Sequence, residues 1–106
     1  MEDNLEHADC PVTEILALIG GRWKLTILHV LCKNTRRFGE INVRVPNISR
    51  KVLTEQLREL EADGLISRKQ YKELSPRVEY SLTEYGESLR PLLTYMAAWT
   101  REKSLD

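Results

Sequence analysis

Apolar positions along the chain fall into short runs with helical spacing, punctuated by glycine, asparagine and proline. Val12, Ile15, Leu16 and Ile19 follow the i, i+3, i+4, i+7 spacing of a helix with one buried stripe. Pro11 suits the first helical position and puts Cys10 at the N-cap, while Gly20-Gly21 ends the run. A second helix is expected from about Arg22 to Lys33, with Trp23, Ile27, Val30 and Leu31 inward and Asn34 as a left-handed stop. Arg36-Arg37-Phe38 reads as a short extended segment before a helix of about two turns, Gly39 to Val45, that turns Phe38, Ile41 and Val45 inward. Pro46 stops it, because proline disfavours helical geometry in the residue before it.

The best-bounded helix follows, from Ser49 to Gly64. Ser49 is a good N-cap, Ile48 and Leu53 occupy hydrophobic-staple positions, and Gly64 is a C-terminal stop. Leu53, Leu57 and Leu60 make one buried stripe and leave Arg50, Lys51, Thr54 and Arg58 on the remaining surface. Most helices of this kind are simply solvated surface helices. Here, however, a short helix precedes it across a tight Val45-Pro46-Asn47 turn, and two strand-like runs follow, Leu65 to Lys72 and Arg77 to Leu82. The second run alternates, with Val78, Tyr80 and Leu82 on one face and Arg77, Glu79 and Ser81 on the other. Joined by Glu73-Leu74-Ser75-Pro76, the two predict a β-hairpin with Lys72 and Arg77 as tip cations. The order is that of a helix-turn-helix with a wing, in which the Ser49-led helix would enter a DNA groove.

Thr83 caps a last helix in which Tyr85, Leu89, Leu92, Met96 and Trp99 are spaced 4, 3, 4, 3, with Pro91 expected to bend it. Such a seam exceeds what one small core needs, so its expected partner is the same helix, or the first helix, of a second subunit. The alternative is that it closes over the domain's own core. The fold class predicted is mainly α with a small β-hairpin wing, as a single domain over residues 10–106 behind a flexible tail at residues 1–9.

Charge sharpens this picture. Formal net charge is zero, which argues against indiscriminate nucleic-acid binding through bulk positive charge. Its distribution is uneven. Residues 1–20 carry five acids and no lysine or arginine, whereas residues 33–58 carry seven cations against two acids, a net of +5 on the proposed reading unit. Two cysteines, Cys10 and Cys32, and two scattered histidines fit no zinc pattern, and no phosphate loop, nucleophile elbow or paired carboxylates are found, so neither metal, cofactor nor catalytic site is expected. No apolar run approaches the roughly 20 residues of a membrane span. With an acidic, non-apolar start, the expected location is cytoplasmic.

The ordered motifs also carry a resemblance. Cys10-Pro11, Gly21-Arg22-Trp23 with Ile27-Leu28, Arg37-Phe38, Ile48-Ser49 with Val52-Leu53-Thr54, Leu57-Arg58-Glu59-Leu60-Glu61, Gly64-Leu65-Ile66 with Arg68, Val78-Glu79-Tyr80-Ser81-Leu82-Thr83 with Gly86, and Trp99 resemble the HxlR family of bacterial winged helix-turn-helix transcription regulators, relatives of the MarR group. The match spans about residues 10 to 100. It implies a homodimer built from the first and last helices, through Val12, Leu16, Leu89, Leu92, Met96 and Trp99, on a pseudo-palindromic double-stranded operator. By position, Ser49, Arg50, Lys51 and Thr54 would face the major groove, with Arg58 on the same helix, Arg36 and Arg37 the phosphates, and Arg77 the wing contact. Some members sense electrophiles or oxidants through a cysteine at the position of Cys10. A helix N-cap favours a thiolate there, while Glu6, Asp9 and Glu14 oppose it, so an inert thiol is the alternative. Cys32 reads as a buried small hydrophobe. Trp23, Tyr95 and Trp99 are either core or the lining of an effector pocket. The rival reading from another class is a winged-helix interaction module whose basic face takes an acidic protein partner.

Overall fold

A computed structural model describes residues 10–103; the tail expected at residues 1–9 lies outside the described residues. The elements run α1 (Pro11–Ile19), α2 (Lys24–Lys33), β1 (Arg36–Arg37), α3 (Phe38–Arg44), α4 (Arg50–Ala62), β2 (Ile66–Tyr71), β3 (Arg77–Leu82), α5 (Glu84–Glu87) and α6 (Arg90–Glu102). The predicted mainly helical fold with a β-hairpin wing is the one observed.

Local chemistry explains most of the boundaries. Pro11 opens α1, and Gly20 closes it by donating its amide to the Leu16 carbonyl at 2.7 Å. The α3–α4 turn needs a left-handed residue, and Asn47 supplies it at φ 67°, a conformation a short polar side chain tolerates. The Ser49 hydroxyl accepts the Val52 amide at 3.1 Å, satisfying one of the free donors at the head of α4. At the other end Gly64 sits at φ 80°. The Leu65 amide reaches back to the Leu60 carbonyl and the Gly64 amide to Glu61, each at 3.0 Å, a Schellman closure whose apolar contact is made by the fully buried Leu60 and Leu65.

Three expectations are corrected. Asn34 is extended (φ −161°, ψ 155°) rather than left-handed, because the chain leaves α2 directly into β1. In α2 the buried positions are Ile27, Leu28 and Leu31; Trp23, at the helix N-cap, and Val30 are only half-buried. Last, the C-terminal helix is not one bent rod. It divides into α5 and α6 around Ser88-Leu89, with Pro91 in the opening turn of α6. A proline lacks the amide that an interior turn needs but costs nothing where amides are unpaired anyway, so a new helix starts there.

The sheet has three strands in the order β1-β3-β2, all antiparallel. Ile66 pairs with Leu82 and Tyr71 with Arg77 in the hairpin, while Arg36 and Arg37 pair with Tyr80 and Glu79. The extended Arg36–Arg37 segment thus stitches the base of the wing to the helix-turn-helix. One core joins Ile19, Ile27, Leu28, Leu31, Ile41, Leu53, Leu57, Leu60, Leu65, Ile66 and Leu93.

Thr83 is the junction between these parts. Its amide donates to the Leu65 carbonyl at 3.1 Å, and its hydroxyl donates to the Gly64 carbonyl at 2.6 Å while accepting the Gly86 amide at 3.0 Å. Gly86 packs so closely beneath this turn that a β-carbon would lie 2.1 Å from the Leu65 carbonyl oxygen.

Candidate nucleic-acid interface

With Leu53, Leu57 and Leu60 turned into the core, 3.6-residue periodicity sends Lys51, Glu55 and Arg58 outward and leaves Arg50 and Thr54 on the flank toward the sheet. Arg50 is held over the Phe38 ring, 4.6 Å from its centroid, so its charge has a fixed place beside the α3 start. Thr54 turns its hydroxyl back to the Arg50 carbonyl at 2.8 Å. Ser49 is spent on the helix cap. Lys51 and Arg58 are exposed, and no carboxylate among the described residues pairs with either.

Between α4 and the sheet lies an open groove of about 420 Å³, lined by Phe38, Thr54, Arg58, Glu61, Arg68 and Tyr80. Arg58 comes from α4 and Arg68 from β2, so helix and wing present cations to one surface. Arg68 was not among the residues expected at the site. Counting back from the hairpin turn would have found it, since the register sets it opposite Tyr80, an inward position of the alternating strand. Lys69, its neighbour, lies 4.9 Å from the Tyr71 ring centroid.

Arg77, expected at the wing tip, is committed elsewhere. Its guanidinium donates to Glu79 at 3.0 Å and to Glu73, and it stacks 4.0 Å over Tyr71. The Glu79 and Glu73 carboxylates raise its pKa above the ordinary arginine value. The i, i+2 spacing of Arg77 and Glu79 on one strand face carries the signal for this pairing. Arg36 is half-buried, with Nε directed at the Val30 carbonyl at 3.4 Å. Exposed Arg37 starts α3, its amide donating to Glu40 Oε1 at 2.8 Å. The structure therefore gathers Arg50, Thr54 and Arg58 with Arg68, leaves Lys51 on the outer face, and ties Arg36 and Arg77 to the protein.

Helices α1 and α6 each leave apolar side chains uncovered. Val12 and Leu16 on α1 are 61% and 57% exposed, and Met96 and Trp99 on α6 are 41% and 44% exposed. Leu92 stands with them, but Leu89 is half-buried against the protomer's own core. The break before α6 explains this, because it lets Leu89 turn inward. Trp23 packs against the core, under the Arg22 guanidinium at 4.4 Å, whereas Tyr95 and Trp99 lie open.

Cys10 and Cys32 are both half-buried free thiols. At the head of α1 the Thr13 amide, then the Val12 amide, holds the Cys10 pKa below its ordinary value against a smaller opposing push from burial and Glu14. Burial pushes Cys32 the other way, with Arg90 opposing. Among the described residues no His, Cys, Asp and Glu side chains gather as metal ligands would, and no single helix is long and apolar enough to cross a membrane.

The HxlR-like helix-turn-helix family model matches residues 18–105. The chain belongs to the HxlR-like family. Its relatives include the HTH-type transcriptional regulator YdeP of Bacillus subtilis, 48% identical over 90 residues that make up 85% of this chain and 70% of that protein. Among solved structures, the redox regulator HypR in its oxidized form matches with a TM-score of 0.83 and 43% identity, covering 88% of this chain and 96% of that one. The reduced form of the transcriptional regulator YodB from B. subtilis matches with a TM-score of 0.75 and 40% identity over 86% and 90%. This HxlR-like chain is thus a transcription regulator with the winged helix-turn-helix fold.

Proposed function

We propose that this regulator acts as a cytoplasmic homodimer on a pseudo-palindromic duplex operator, without catalysis of its own. The reading rests chiefly on the convergence of Arg58 from α4 and Arg68 from β2 on one groove, beside Arg50 and Thr54. Arg50, Lys51, Thr54 and Arg58 meet the major groove, with Ser49 fixing the helix start. Exposed Arg37 and Arg68 reach phosphates, and the wing's tip contact passes from the ion-paired Arg77 to Lys72. Arg36 contributes by positioning β1. Phosphate contacts supply affinity and the base-edge contacts of α4 supply choice. Val12, Leu16, Leu92, Met96 and Trp99 form the subunit interface, since exposed clusters of this size on a small protomer call for a cover.

The experiment uses duplex fragments that the purified protein selects from its own genome, followed by anisotropy titration over a salt series. The Lys51→Ala/Arg58→Ala double variant should bind the selected fragments about tenfold or more weakly and discriminate less between them and unrelated duplex, with its circular dichroism unchanged. Wild-type affinity in that variant would contradict the assignment.

The same reading makes Cys10 the oxidant- or electrophile-responsive group. HypR, described as a redox regulator, and the lowered Cys10 pKa support it. Diamide should release the wild-type protein from its DNA and leave Cys10→Ser bound; equal release from both would assign Cys10 a structural role.

A further inference from the structure

On the side of α6 away from the apolar surface, a cleft of about 360 Å³ runs between α2 and α6. His29, Cys32 and Lys33 line it from α2, and Arg90, Thr94 and Arg101 from α6. Positions 90, 94 and 101 recur on one face of the helix, whereas Leu92, Tyr95 and Trp99 fall on the opposite one.

Two arginines, a lysine and a histidine therefore line a cleft that the DNA-reading surface does not use. The Glu87 carboxylate takes two donors of Arg90, at 2.8 and 3.0 Å, and the Cys32 carbonyl takes a third at 2.8 Å. This fixes the guanidinium in place and leaves two of its five N–H donors for another group. Glu87 offsets one charge; no carboxylate among the described residues pairs with Lys33 or Arg101.

The cations are not in one cluster. Arg90 and Lys33 stand at one end of the cleft, and Arg101, which leaves the backbone about 16 Å further along α6, lines the same cleft from the other end, toward His29 on the facing helix. A single compact anion meets one end only. We propose that this cleft binds a small elongated dianion, an α,ω-dicarboxylate or a molecule with equivalent oxyanions at its two ends, with Thr94 offering a hydroxyl midway. The ligand would bridge α2 to α6. Because α2 also packs against α3 and β3, the clamp acts on the elements that position α4 and the wing.

The test needs no DNA, so it stands apart from the operator reading. Full-length protein is melted with millimolar adipate, with butyrate as the single-ended probe and inorganic phosphate as the compact one. Adipate should raise the midpoint saturably and by more than either other probe, because only a ligand preferring the native state stabilises it. Lys33→Ala and Arg101→Ala, both exposed and safe for folding, should each weaken adipate binding about tenfold or more, while Lys51→Ala/Arg58→Ala keeps the full response. Equal shifts from butyrate or phosphate, no saturable shift from adipate, or an adipate response that survives Lys33→Ala and Arg101→Ala would overturn the proposal.

Discussion

Helices α4 and α6 are both thirteen residues long and both carry an apolar stripe at helical spacing, yet they use it in opposite ways. Leu53, Leu57 and Leu60 of α4 are almost wholly buried within the protomer, while Leu92, Met96 and Trp99 of α6 remain open. Periodicity identifies the face of a helix that avoids water. It does not say which surface will cover that face. What separates the two is the neighbourhood: α4 is followed at once by Leu65 and Ile66, which fold back over its stripe, whereas Leu93 with its flank and the Arg90 bond to the Cys32 carbonyl dock the other side of α6 onto α2.

The comparison can be broken most directly in the core. Leu60→Ala should cost about 2–5 kcal/mol in chemical denaturation, because its surroundings close only partly over the space left. A loss below about 1 kcal/mol would mean that the α4 stripe is not the centre of the domain. Next in size, Trp99→Glu should separate subunits while leaving the helical spectrum and protomer core intact. Light scattering should then give half the wild-type mass, with association weakened by about 2 kcal/mol or more. An unchanged mass would remove Trp99 from the interface and take the contrast with α4 away. The smallest effect concerns how α4 is bounded. Ser49→Ala should destabilise by about 1 kcal/mol and leave subunit mass untouched, since the lost bond to the Val52 amide lies wholly inside the reading unit.

Much of this architecture was legible in the residues. Caps and stops such as Ser49, Pro46 and Gly64 act through local backbone chemistry, so α3, α4 and the hairpin fall close to their expected limits. Expectations failed where a distant partner decided the outcome. Asn34 does end α2, but the pairing of Arg36 with Tyr80 just beyond it draws it into an extended rather than the expected left-handed conformation. Pro91 was read as a bend; the turn at Ser88-Leu89 instead makes it a helix opener. At the candidate interface the cations of α4 were visible from spacing alone. Arg68 became apparent only through strand register, and the ion pairing of Arg77 only through Glu73 and Glu79.

The Thr83 junction has a mechanical consequence. One residue fastens the trailing end of α4, the last strand of the wing and the turn that launches α6, with Gly86 seated too tightly to leave play. In the homodimer proposed above, a small tilt of α6 against its mate would be felt at that joint. On the proposed reading it would be passed on as a swing of the whole basic edge, and the distance between two such edges would decide whether both can rest on the same stretch of duplex.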